Sequence, residues 1–261
     1  MSRIEGDPPP GASLTDRLAT SRPLLPVRVW ALALTAGLIA GFASWLIGEA
    51  FHGRFAPPDA RTGRRLTSDQ LMSRRTSTDA AQVLEATVAF GSLGAVLGLA
   101  LGLAGGCAGG SARAAVIAAI AGSILGATVG AIMPRLLLPI YFRLHDRDRD
   151  DLLLSILIQS GNWSVIGAAA GAAFGIGLGD RSRVLRAVLG GLLGAIAGVL
   201  VYEVVGGVAF PLDGTADPLS ATWGTRLFAR LAVTIFASAG AAIGGIGPVT
   251  GAIERRASNV A

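Results

Sequence analysis

Six stretches of this chain stay apolar for about 20 residues or more, and no other feature constrains its fold as tightly. They lie at about 27–49, 84–106, 114–134, 153–179, 184–208 and 227–247. At about 1.5 Å per residue, each is long enough as a helix to cross the hydrocarbon of a bilayer. Lipid offers the backbone no hydrogen-bond partner, so such runs must pair their own polar groups, which a helix does. Only 15% of the 261 residues are charged, against about 25% in soluble domains. The expected fold class is all-α: a polytopic membrane protein of six transmembrane helices in one glycine-packed bundle.

The connections divide into two kinds. Gly105–Arg113 and Asp180–Arg183 are tight, so spans two and three, and four and five, read as hairpins. The linkers at 50–83, 135–152 and 209–226 are longer, carry Pro57, Pro58, Pro139 and Pro211, and share the opposite membrane face. Residues 1–26 hold five prolines and mixed charge, and read as a disordered tail without the apolar core of a signal peptide. Residues 248–261 read as a short polar tail after a 27–247 bundle. Arg61–Asp79 reads as a solvated basic linker, and the acids of 146–151 as a cap on span four.

Glycine recurs every fourth residue inside these runs. The stripes are Gly94, Gly98 and Gly102; Gly167, Gly171 and Gly175; Gly190, Gly194 and Gly198; and Gly240 and Gly244. In water glycine weakens a helix, but residues four apart share a face, and a face without side chains lets two helices touch backbone to backbone. Close packing is the expected role of these residues. The Gly-xxx-Gly pairs at 94, 167 and 240 also recur at 73-residue intervals, each preceded by an aromatic four residues earlier: Phe90, Trp163 and Phe236. A helix pair used three times, arranged about the membrane normal, accounts for this; convergent enrichment in glycine and alanine is the alternative.

Polar residues near the spans gather on the long-linker face. Glu49 ends span one, Gln159 and Asn162 open span four, and Arg226 and Arg230 open span six. Glu203 stands in the apolar run VLVYEVVGG of span five. Intramembrane ionisable groups are costly and mark function or pairing. Arg226 or Arg230 is the expected partner of Glu203, with proton or cation binding, or simple exposure at the interface, as the alternatives. Gln159 and Asn162, three apart, share a helix face, which suits hydrogen bonding between helices or contact with a ligand.

Several chemistries lack their residues. Cys107 is the single cysteine, and the two histidines, His52 and His145, lie in linkers, so neither a metal nor a cofactor is expected. GLGD at 177–180 resembles the Gly-x-Gly-Asp pattern of intramembrane aspartyl proteases over four residues only, and no second aspartate lies inside another span. An enzyme is not expected. The basic residues are all arginine, and a net charge of +5 suits a lipid bilayer with anionic headgroups. No basic run is interleaved with aromatics, which argues against nucleic acid. The excess of Ala, Gly and Arg reads as bacterial, the location as a plasma or inner membrane, and the proline-rich tail as cytoplasmic.

The expected function is an integral membrane scaffold or accessory protein, partnered by another membrane protein or a second copy. The alternative is a small-solute or ion transporter or channel using Glu203 and the Gln159/Asn162 pair. The two part on one criterion: polar residues converging on a reachable cavity favour transport, whereas pairing and closure favour a scaffold.

Overall fold

Every apolar run is helical in the computed structural model, which describes residues 26–55, 67–144, 152–210, 220 and 222–246. The helices are α1 (Pro26–Phe51), α2 (Ser68–Gly109), α3 (Ala112–Leu144), α4 (Leu152–Gly177), α5 (Arg181–Ala209) and α6 (Trp223–Ile246). All six are long and apolar enough to span a bilayer, the make-up of a multi-pass membrane protein, and the described residues include no strand. Apart from Pro26, which opens α1, the N-terminal tail lies outside the described residues, as do the tail at 248–261 and the acidic run at 146–151.

Two helices outrun their apolar segments. Residues 68–79, read above as linker, are helical, because a capping box starts α2 well before its first apolar turn. The Thr67 side chain covers the N-terminus, and the Thr67 N–H donates to Gln70 Oε1 at 3.1 Å. Helix α3 continues through Pro134 and Pro139, which places Arg135 inside it rather than after it. Each proline removes one backbone donor, yet Pro134, Leu138 and Tyr141 form a buried stripe at helical spacing that holds this segment against the bundle.

Both tight turns end on a left-handed glycine, Gly110 and Gly179, each with φ of 77°. Asp180 then caps α5: Oδ1 accepts from the Ser182 N–H at 2.9 Å and the Ser182 hydroxyl at 2.8 Å. These Ser182 bonds, aided by Arg183, hold the Asp180 carboxyl below its ordinary 3.8. Loss of the cap in Asp180→Ala is expected to cost about 1 kcal/mol near neutral pH. A depressed folded-state pKa means that stability is present above the ordinary value and lost as pH falls through the folded one. Melting curves of parent and variant should therefore converge in acid; a constant gap would show that charge has no part in the cap.

The even-numbered helices form the interior. Their apolar windows are 61% (α2), 50% (α4) and 50% (α6) buried, against 28–33% for α1, α3 and α5. Each outer helix packs between two inner ones: α3 on α2 and α4, α5 on α4 and α6, α1 on α6 and α2. Helix α4 contacts both α2 and α6. Leu93, Leu97 and Leu101 of α2 join Ile166 and Phe174 of α4 and Ala241 of α6 in a continuous core.

The glycine stripes lie where backbones meet. Gly94, Gly98 and Gly102 of α2 face Gly126, Gly122 and Ala118 of α3. Gly167, Gly171 and Gly175 of α4 face Gly191, Ala187 and Val184 of α5. On the adjoining face of α5, Gly190, Gly194 and Gly198 meet Gly240, Phe236 and Val233 of α6, while Gly244 meets Arg186. A methyl group at any of these positions would fall well inside van der Waals contact distance of a neighbouring backbone atom. The gain is dispersion and close carbonyl contact along the whole length of each pair.

Candidate functional site

The site grows out of the seam between α1 and α6. Gly37, Gly41, Ser44 and Gly48 run along one buried face of α1. Opposite them α6 places Ser238, Thr234 and Arg230 at every fourth residue. The Arg230 guanidinium occupies the space where a side chain at Gly48 would begin, and its Nη1 donates to the Ser44 carbonyl. One turn earlier, Arg226 grips Glu49 through two parallel bonds, Nε to Oε1 at 2.6 Å and Nη2 to Oε2 at 2.8 Å. Its Nη1 donates to the Ser220 carbonyl at 2.9 Å.

Both arginines line a recess bounded by the inner helices α2, α4 and α6, with Tyr202 of α5 reaching into its wall. Its polar lining comprises Gln159, Tyr202, Ser220, Arg226 and Arg230, and its apolar lining includes Phe90, Leu93 and Trp163. The Tyr202 hydroxyl is hydrogen-bonded to Ser220 Oγ. Phe90 and Trp163 meet edge to face, with centroids 4.9 Å apart at 80°. These are two of the three aromatics of the 73-residue spacing; the third, Phe236, does not line the recess and is 39% exposed. Toward the tight-turn face, Leu97, Leu101, Ile166 and Phe174, each no more than 1% exposed, close the bundle.

The recess is cationic. Arg226 and Arg230 are 8% and 6% exposed, and the described lining carries no Asp or Glu. Glu49 balances Arg226 from behind the wall. Among the described residues no carboxylate stands within ion-pair distance of Arg230, whose one hydrogen-bond acceptor is the Ser44 carbonyl. Glu85, one turn along α2 from the recess, is engaged by His52 and by the Gly53 N–H at 3.0 Å.

Of the polar residues singled out from the sequence, Gln159, Arg226 and Arg230 converge here, with Glu49 holding Arg226. Asn162 is 2% exposed but does not line the recess, and its Oδ1 has no hydrogen-bond partner among the described residues. The expected pairing of Glu203 with Arg226 or Arg230 is not what the structure contains. Arg226 belongs to Glu49, while Glu203 is half-buried with Oε1 unbonded among the described residues. The reason is azimuth: adjacent residues on a helix point about 100° apart, and in α5 the inward direction goes to Tyr202, 2% exposed. Ser44, Tyr202 and Ser220 are not among the residues the sequence singles out. Tyr202, a lone phenol in an apolar run, was a readable signal; a serine carbonyl acceptor such as Ser44 leaves none.

No known protein family matches this chain, and neither a curated protein nor a solved structure is significantly similar to it.

Proposed function

We propose that this protein is a small-solute transporter whose binding site is the recess between α2, α4 and α6, open toward the long-linker face. The observation that carries the reading is convergence. Gln159, Tyr202, Arg226 and Arg230 come from three helices and meet at one concave, partly apolar place, as ligand sites between helices of a bundle do. The polar lining lies at the long-linker end of the helices, and packed apolar side chains close the bundle toward the tight-turn face, which is the arrangement expected of one half of an alternating-access cycle. Tyr202 and Ser220 bring hydroxyls to the described lining, but no acid, histidine or cysteine stands there to activate them, and the reading is binding without chemistry.

A specific observation also favours the scaffold reading. The Glu49–Arg226 clamp ties α1 to α6, which is what a rigid accessory subunit needs. The two are separated by filling the recess. Ala229 lines it, so Ala229→Phe is expected to abolish saturable binding of whichever solute raises the melting temperature of the parent, and to abolish counterflow of that solute in proteoliposomes. A panel of acidic, basic and neutral solutes with no effect on parent melting would remove the transporter reading and leave the scaffold.

A further inference from the structure

The geometry points to an oxyanion, a carboxylate or phosphate group borne on an apolar or aromatic body, as the ligand of this recess, bound by Arg230; the inference rests on the recess being a ligand site. An arginine presents five N–H donors in a planar fork, and Arg230 has one acceptor among the described residues, the Ser44 carbonyl. Taking a cation out of water without a paired carboxylate is costly; at 6% exposure Arg230 is nearly out of it, and Glu49, the carboxylate whose field reaches it, is held by Arg226. The neighbouring guanidinium adds to the positive field, since Glu49 offsets only one of the two charges. An oxyanion supplies what is missing: a full negative charge and two coplanar acceptors that match the guanidinium fork.

The rest of the lining describes the remainder of the ligand. Gln159, Tyr202 and Ser220 are neutral hydrogen-bonding groups beside the charge, whereas Phe90, Leu93 and Trp163 form an apolar wall. A cation is disfavoured by two arginines, and a purely apolar solute offers the remaining Arg230 donors no acceptor. Two sources carry the shared chemistry, a soluble organic acid or phosphate and the headgroup of an anionic phospholipid.

Benzoate and benzamide test this, because they share a shape and differ in charge. Parent protein in phosphatidylcholine nanodiscs is titrated with each and followed by melting temperature and tryptophan fluorescence. Benzoate is expected to bind saturably and about tenfold or more tighter than benzamide, the discrimination of one charge-assisted hydrogen bond. Arg230→Gln, which keeps a donor for Ser44, should erase that preference, and Arg230→Lys should retain part of it. Should neither variant fold, the benzoate-to-benzamide ratio of the parent decides alone. Nanodiscs containing phosphatidylglycerol separate the sources: a headgroup occupant raises parent melting and competes with benzoate, whereas a soluble one leaves benzoate affinity unchanged. Equal binding of both probes, blocked by Ala229→Phe, overturns the oxyanion and leaves the recess as a site. Silence from benzoate and phosphatidylglycerol alike also overturns it, and the solute panel then decides the fate of the recess itself.

Discussion

Replacing Gly94 with leucine is expected to destabilise the bundle by about 3 kcal/mol, the upper end of ordinary overpacking. The Cβ of any residue at 94 would land on the backbone of Gly126, and main chain cannot step aside as a flexible side chain can. The α2–α3 pair must then separate along its length, which also withdraws Gly98 from Gly122. Gly171, set against the Ala187 backbone, belongs to the same class. Gly207 provides the control: it is helical and exposed, with nothing near a Cβ there, so Gly207→Leu should stay within about 0.5 kcal/mol of the parent. Unfolding in detergent reads both. Equal melting of Gly94→Leu and Gly207→Leu would mean that close backbone approach does not stabilise this protein.

The second large effect is expected at Glu49. Glu49→Leu strands Arg226, 8% exposed, without its bidentate partner, and breaking a buried pair from one side costs about 3–5 kcal/mol. Removing both charges in Glu49→Leu/Arg226→Leu should be far milder than the sum of the single changes, because an apolar pair replaces a satisfied ionic one. Four melting measurements complete the cycle. Additive losses would show that the two residues contribute independently and that the clamp is incidental.

How much of this was readable in advance follows from distance along the chain. The six helices were legible because each is announced within one window of apolar residues, and lipid leaves such a window no other backbone state. Their ends were less so. The box at Thr67 and Gln70 is a local signal of a helix start, but it lies in a basic stretch well ahead of the apolar run that begins near 84. Pro134 and Pro139 suggested an end that the burial of Leu138 and Tyr141 overrides. At the site, residue type pointed to Arg226, Arg230 and Gln159, yet not to their relations. Glu203 drew attention through its apolar surroundings, whereas Glu49 looked like a helix-end residue at the interface. Which carboxylate reaches Arg226 depends on α1 and α6 being neighbours, and that adjacency is written in no local pattern.

The seam between α1 and α6 also has a consequence for biogenesis. Arg226 finds its carboxylate 177 residues upstream, and Arg230 lies against Gly48 and Ser44 of the same early helix. During synthesis α1 therefore reaches the bilayer long before its partner exists, and its glycine-lined face waits in lipid. Helix α6 follows the other five and carries two guanidiniums, whose insertion is expensive in isolation. Its arrival is relieved by a docking face already made, so closure of the α1–α6 seam waits for the residues of α6. A nascent chain stopped before 223 would hold Glu49 with no arginine of α6 to meet it, a state for membrane quality control to recognise.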